Sequence, residues 1–229
     1  MDLVLVLHNI RSVYNVASIF RTADGAGVSP RTTTRKDKLS RWRNSSFGVG
    51  VKKIYLVGVT PTPLDRFGKF RADFSKVALG AEKTVEWEYV KSFVAVYKKL
   101  KSDDCGILAV EQDKRSIPYY DYRPVSRSLS RTVEVGKVAL APRQTRDKCA
   151  LIFGEETKGL PKSVLDKCDK ILEIPMRDAM VQQVHHPKNL KGKALRSFGK
   201  TQGRQAQGKE SLNVSVAAGI VVYNLLVEK

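Results

Sequence analysis

Three stretches of this chain bring glycine, amide, hydroxyl and charged side chains together in ways that suit the handling of a ligand. The first runs from His8 to Val28, HNIRSVYNVASIFRTADGAGV, directly after an aliphatic run. Asn9, Arg11 and Ser12 fall in a loop, and Asn15 stands at the start of a helix as a candidate N-cap. Val16, Ile19, Phe20 and Ala23 then give an apolar stripe at helical spacing, and Gly25 and Gly27 let the chain leave it. Arg21 projects from the middle of this otherwise apolar helix. An unpaired buried guanidinium is costly. Two partners compete for it: a carboxylate such as Asp24, or the phosphate or ribose oxygens of a ligand beside a helix start.

The second stretch, ALIFGEETKGLPKSVLDKCDKILEIPM, begins at Ala150. A buried strand runs into Gly154-Glu155-Glu156-Thr157-Lys158-Gly159, where two glycines bracket a turn and allow close backbone approach at a strand's carboxyl end. No G-x-x-x-x-G-K-[ST] run is present, and adjacent carboxylates repel a triphosphate, so the turn suits a neutral or cationic ligand. Solvated turn glutamates are the blander alternative. The third stretch, KESLNVSVAAGIVVYNLLVEK, begins at Lys209 and reads as a helix with Ser211 and Asn213 at its start. Plain capping accounts for those two residues by themselves. Ser215, Ala217, Ala218 and Gly219 form a small-residue surface, and Leu212, Val216, Ile220, Tyr223 and Leu226 an apolar stripe. Such a helix packs inside the monomer or across a dimer seam.

The elements that must position these residues alternate along the chain. Apolar blocks predict strands at 3–7, 53–57, 84–89, 106–110, 150–153 and 171–174. Helical spacing predicts helices at 15–24, 91–101, 161–167 and 212–227. Strands alternating with helices predict a mostly parallel α/β sheet. Three segments break the rhythm: 29–50, 124–148 and 178–207. Structureless stretches of this length in a compact domain are functional or disordered. They hold 18 of the 41 basic residues and 4 of the 23 acidic ones, and so +14 of the +18 net charge. They are read either as basic arms that grip phosphates or as solvated insertions with no specific role. The charge favours a polyanionic partner, with nucleic acid foremost.

Together and in this order the three stretches resemble the motifs of the SpoU/TrmH family of SPOUT RNA 2′-O-ribose methyltransferases. The pattern N-x-x-N-x-A-x-I-x-R-T-A-D-x-x-G is matched across Arg11–Gly27 except at its first asparagine, where Ser12 stands, F-G-x-E-x-x-G-L at Phe153–Leu160, I-P-M at Ile174–Met176 and S-L-N-V-S-x-A at Ser211–Ala217. Val110-Glu111-Gln112 also fits. The resemblance implies a mostly parallel α/β sheet with helices on both faces and a deep C-terminal trefoil knot, an exception to the rule against knots. It implies one domain over 1–229 that carries the three insertions. The cofactor implied is S-adenosyl-L-methionine, bent in the knot against the backbone at Gly154, Ile174, Met176 and Leu212. The active site implied is Asn15, Arg21, Glu156, Ser211 and Asn213, with Arg11 and Arg21 facing RNA. A homodimer is implied, Arg21 lying near the partner's cofactor, and tRNA or rRNA is the implied substrate. Two departures from the pattern stand out: Glu155 occupies a position where asparagine is common, and 178–207 separates I-P-M from the third motif. That second departure keeps a rival in view, a SPOUT-fold RNA-binding protein with impaired catalysis.

The remaining composition bounds the setting. No apolar run approaches the roughly 20 residues that span a bilayer, and MDLVLVLHNIR reads as a first strand rather than a leader. Three cysteines without close pairing predict reduced thiols and a cytoplasmic location. His185-His186 has no cysteine or carboxylate at ligand spacing, so no metal is expected.

Overall fold

The computed structural model describes residues 2–27, 50–123, 148–176 and 211–227. Seven strands form one sheet: β1 (Asp2–His8), β2 (Gly50–Val57), β3 (Trp87–Val90), β4 (Gly106–Val110), β5 (Ile117–Pro118), β6 (Lys148–Phe153) and β7 (Lys170–Glu173). Their order is β3-β2-β1-β6-β4-β7-β5, and every pairing is parallel. Among the described residues six α-helices accompany them: α1 (Val13–Gly25), α2 (Ala72–Ala78), α3 (Ala81–Thr84), α4 (Phe93–Ser102), α5 (Lys162–Leu165) and α6 (Val214–Val227).

Both faces of the sheet are covered, which is why β1 and β6 read as near-continuous apolar runs. On one face Leu3, Leu5, Leu7, Ile54, Leu56, Leu151 and Phe153 meet the buried sides of α1, α2, α3 and α6. Phe20 of α1 packs edge-on against Phe74 of α2, ring centroids 5.2 Å apart at 85°. On the other face Val6, Tyr55, Val57, Ile107, Ala109, Ala150 and Ile152 meet Phe93, Val96 and Leu100 of α4 and Val164 and Leu165 of α5. Strand alternation thus assigns odd positions of β1 to one core and Val6 to the other.

The structure departs from the sequence expectations at four places. The strand expected at 84–89 begins only at Trp87, because Ala81–Thr84 makes a helical turn after Gly80, which adopts φ 96°. The Thr84 hydroxyl there sits 3.2 Å from the Ala81 carbonyl and donates to Asp24 at 2.8 Å. Helix α2 gave no periodic signal, since seven residues with only Phe74 and Ala78 buried show too little of a period. Strand β5, two residues long, is invisible for the same reason. Gly50 and Lys148, read as insertion residues, belong to β2 and β6. Otherwise the three insertions lie outside the described residues.

The chain divides into two units, Met1–Ile174 with Asn213–Lys229, and Pro175–Leu212. Of the second, only Pro175, Met176, Ser211 and Leu212 are among the described residues. In the first, strands laid down before β4 lie on one side of β1 and the later ones on the other. The sheet therefore changes direction between β1 and β6, and the crevice outside their carboxyl ends is where open α/β sheets hold ligands.

His8, at the carboxyl end of β1, is buried, its Nδ1 has no hydrogen-bond partner among the described residues, and its ring meets Phe93 edge-on. Burial holds its pKa below the ordinary value of 6.5. The unfolded chain then takes up the proton more readily, so stability present above pH 6.5 or so is lost as pH falls toward the folded-state pKa. Between pH 7.5 and 5.5 the wild-type melting temperature should drop, at no more than about 1.4 kcal/mol per pH unit from this residue. His8→Gln should flatten that part of the profile; an unaltered slope in the variant rules out His8 as its source.

Candidate functional site

The loop after β1 is fixed before α1 begins. Ser12, not Asn15, is the N-cap: its Oγ accepts from the Asn15 amide at 3.2 Å, the ordinary bond from a cap residue to the third helical position. Freed from capping, the Asn15 side chain turns outward in the first turn. Its Nδ2 donates to Glu156 Oε1 at 2.6 Å, and its Oδ1 accepts from Asn213 Nδ2 at 3.1 Å. Asn213 in turn caps α6, its Oδ1 accepting from the Ser215 amide at 2.9 Å and the Ser215 hydroxyl at 2.7 Å. One Asn15 amide thereby ties together all three sequence motifs, across 141 residues on one side and 198 on the other. The carboxylate fixes which way that amide points, because only its NH₂ can donate.

The turn after β6 is held from two directions. Glu155 and Gly159 pair across it, the Gly159 amide donating to the Glu155 carbonyl at 2.8 Å. Glu111, just past β4, accepts from the Leu160 amide at 2.8 Å through Oε2 and from the Gln112 amide at 3.1 Å through Oε1. Side chains are excluded here: a Cβ on Gly154 would lie 2.7 Å from the Gly159 carbonyl carbon, and one on Gly159, at φ 64°, 2.5 Å from Glu111 Oε2. The motif pattern registered Glu111 without a role; its function as a brace becomes visible only when β4 and β6 are neighbours. Neither turn glutamate is merely solvated. Glu155 pairs with Arg11 at 3.5 Å and accepts from the Thr157 hydroxyl at 2.9 Å.

Thr60, which drew no attention in the sequence, fastens the loops after β1 and β2. Its buried hydroxyl accepts from the Ile10 amide at 3.1 Å and lies 2.9 Å from the Leu7 carbonyl. Asn9, at φ 59°, accepts from the Val59 amide at 3.2 Å. Beside these loops opens a cleft of about 320 Å³ lined by Asn9, Arg11, Val59, Glu155, Lys158, Gly159 and Pro161. It sits at the switch point between β1 and β6.

Arg21 is exposed and makes no hydrogen bond or ion pair among the described residues. Both partners weighed from sequence presupposed burial, and Asp24 is instead engaged by Thr84. Six residues separate Arg21 from Asn15, about 9 Å along the helix and about 120° around it, so Arg21 stands apart from the Asn15–Glu156–Asn213 cluster. Ile174 follows β7 and is half-buried. Met176, Ser211 and Leu212 fall in the second unit. None of the three cysteines forms a disulfide among the described residues, and burial pushes the Cys105 thiol up to about 12 and the Cys168 thiol up to about 11.

Fold and site define an open parallel α/β domain with its polar constellation at the carboxyl edge of the sheet. The chain belongs to the SpoU rRNA Methylase family, whose profile matches residues 39–182, more than half of its length. It is 23% identical over 220 residues to the 23S rRNA (guanosine-2′-O-)-methyltransferase RlmB of Neisseria meningitidis serogroup B, covering 96% of this chain and 56% of that protein. The chain spans a little over half the length of the curated relatives it matches, or half. Among solved structures it resembles the A. aeolicus TrmH/SpoU tRNA modifying enzyme, with a TM-score of 0.54 at 20% identity over 98% of this chain and 74% of that one. It also resembles the AdoMet-bound rRNA methyltransferase of Sinorhizobium meliloti, with a TM-score of 0.58 at 16% identity over 98% of this chain and 55% of that one. At these identities the likeness establishes the fold. No helix among the described residues is long and apolar enough to cross a membrane.

Proposed function

We propose that the chain is an S-adenosylmethionine-dependent methyltransferase acting on a ribose 2′-hydroxyl of tRNA or rRNA, as a cytoplasmic homodimer. The observation that carries this reading is the Glu156–Asn15–Asn213 cluster, in which three separate motifs of the family meet through side chains. Family membership and the activities named for its relatives support it.

The residues present fit the cofactor in kind. Gly154 and Gly159 let the turn after β6 fold tightly on itself at the carboxyl end of the strand, and the carboxylates around it suit a sulfonium and an ammonium. Gly154, Ile174, Met176 and Leu212 would hold the cofactor, which supplies an electrophilic methyl group when bound. We read the segment from β6 to α6 as threading the trefoil knot, with 1–229 one domain and 29–50, 124–148 and 178–207 its insertions. Asn15, Glu156, Ser211 and Asn213 orient the reacting groups, and Arg11 and Lys158 at the rim of the cleft meet the phosphates of the target nucleotide.

Arg21 acts on the hydroxyl. A guanidinium with a pKa above about 12 is no general base. It lowers the pKa of the ribose oxygen by stabilising the charge that develops there, and the hydroxyl proton passes to a nearby acceptor. Holding that oxygen in line with the transferable methyl supplies much of the remaining acceleration. Because Arg21 lies away from its own cluster, it serves the partner subunit. Helix α6 supports this arrangement: it is apolar nearly all round, yet Val216 and Tyr223 are 50% and 45% exposed, a face that wants a partner. Tyr223 reaches the end of α1, its hydroxyl lying 3.1 Å from where a Cβ on Gly25 would stand.

The test is to titrate the purified chain with S-adenosylmethionine by calorimetry and to map 2′-O-methyl sites in host RNA with and without the gene. Saturable binding and loss of one or more ribose methylations are expected. Absence of cofactor binding would leave the non-catalytic RNA-binding rival, and loss of a base methylation instead would overturn the reaction class.

A further inference from the structure

Between β2 and α2 the chain builds a small rigid hairpin from residues 62–71, TPLDRFGKFR. Leu64 and Phe70 pair in antiparallel fashion, and the Arg71 amide donates to the Pro63 carbonyl at 2.9 Å. The Asp65 amide donates to the Lys69 carbonyl at 2.8 Å. One carboxylate oxygen of Asp65 closes the tip, accepting from the Phe67 and Lys69 amides at 2.8 and 2.9 Å. Gly68, at φ 75°, supplies the left-handed residue the turn requires. This much internal bonding serves to present what stands on it. Phe67 at the tip is 71% exposed, and the Arg66 guanidinium lies over its ring, 4.7 Å from the centroid. Phe70 is 47% exposed, with Lys83 5.6 Å from its centroid.

We propose that this hairpin is a stacking platform for an unpaired base of the RNA, near the nucleotide in the cleft; this rests on the RNA methyltransferase reading above. An isolated exposed aromatic is common and carries no meaning alone. A rigidly held aromatic with a cation on one face and open space on the other is different: it offers a π-surface to a base and positive charge to the neighbouring phosphate. A protein or lipid face would reward apolar area, whereas here both exposed rings of the hairpin are paired with a cation. Position agrees. The loops after β1, β2 and β6 leave one edge of a parallel sheet, and Val59, which lines the cleft, is four residues before Pro63 at the hairpin's base. Phe67 at the tip is eight residues from Val59, a reach of at most about 29 Å, so the platform stands within a few nucleotides of the cleft.

The full chain is tested with two fluorescein-labelled probes, an RNA stem–loop and the same stem closed as a blunt duplex. Phe67→Ala should weaken stem–loop binding about tenfold, the loss of one stacked base, and leave duplex binding, S-adenosylmethionine affinity and melting temperature as in the wild type. Phe67→Trp should bind the stem–loop like the wild type, and its emission should be quenched by that RNA beyond any change from Trp42 and Trp87. Unchanged stem–loop affinity in Phe67→Ala, an equal loss on both probes, or a shift in oligomeric state would each overturn the platform while the methyltransferase reading stands. A wild-type chain that binds neither RNA would overturn both.

Discussion

Arg21→Ala should lower methyl transfer to RNA by about 10²- to 10³-fold, the scale of removing one preorganised charge-stabilising donor from an active site, while melting within a degree or so of the wild type. The two halves of this expectation come from different facts. The stability half follows from exposure and the absence of any described bond to Arg21, since surface substitutions of that kind stay within about 0.5 kcal/mol. The activity half follows from the proposal that its guanidinium meets the ribose oxygen. Arg21→Lys should recover little, because an ammonium cannot reproduce a planar, forked donor. Full activity in Arg21→Ala would remove the residue from the site.

Whose site Arg21 serves is tested by mixing variants. Glu156→Ala cuts the bond that orients Asn15 and should be inactive for that reason. If Arg21 works across a two-fold interface, an Arg21→Ala·Glu156→Ala heterodimer keeps one intact site out of two. Half of a randomly reassorted population is heterodimer, so about a quarter of wild-type activity should return on mixing two inactive homodimers. If Arg21 serves its own chain, nothing returns.

How much of this was legible in the sequence depends on what each residue needs. Helices α1 and α6 and the strands β1, β4 and β6 were readable because their burial imposes a period or an unbroken apolar run. The cluster residues Asn15, Glu156 and Asn213 were readable as motif members, yet their contacts were not, since nothing local ties position 15 to positions 156 and 213. Asn15 drew the wrong structural role because Ser12, three residues earlier, is an equally good cap, and a helix has one. Arg21 was misjudged as buried because an apolar stripe on one side of a helix says nothing of the width of its exposed face. Thr60 and the hairpin at 62–71 were silent: a hydroxyl that staples two loops and an aromatic that points outward leave no periodic trace.

Glu111→Ala should weaken S-adenosylmethionine binding about five- to 150-fold without unfolding the sheet. Removing this carboxylate strands the Leu160 amide, which it now accepts at 2.8 Å, and a part-buried donor left without a partner costs about 1–3 kcal/mol. That cost falls on the turn that presents Gly154 and Gly159, so it should be read in cofactor affinity before it is read in melting temperature. Glu111→Gln keeps an acceptor oxygen and should retain most of the affinity. Gly159→Ala attacks the same turn from the other side, placing a methyl 2.5 Å from Glu111 Oε2 and a side chain at φ 64°. The first of those penalties disappears when the carboxylate is gone; the second, about 1 kcal/mol or so, does not. The double variant should therefore bind more tightly than the two single losses predict by addition. Strict additivity in that cycle would mean that Glu111 and Gly159 do not meet, and that the turn is braced by something else.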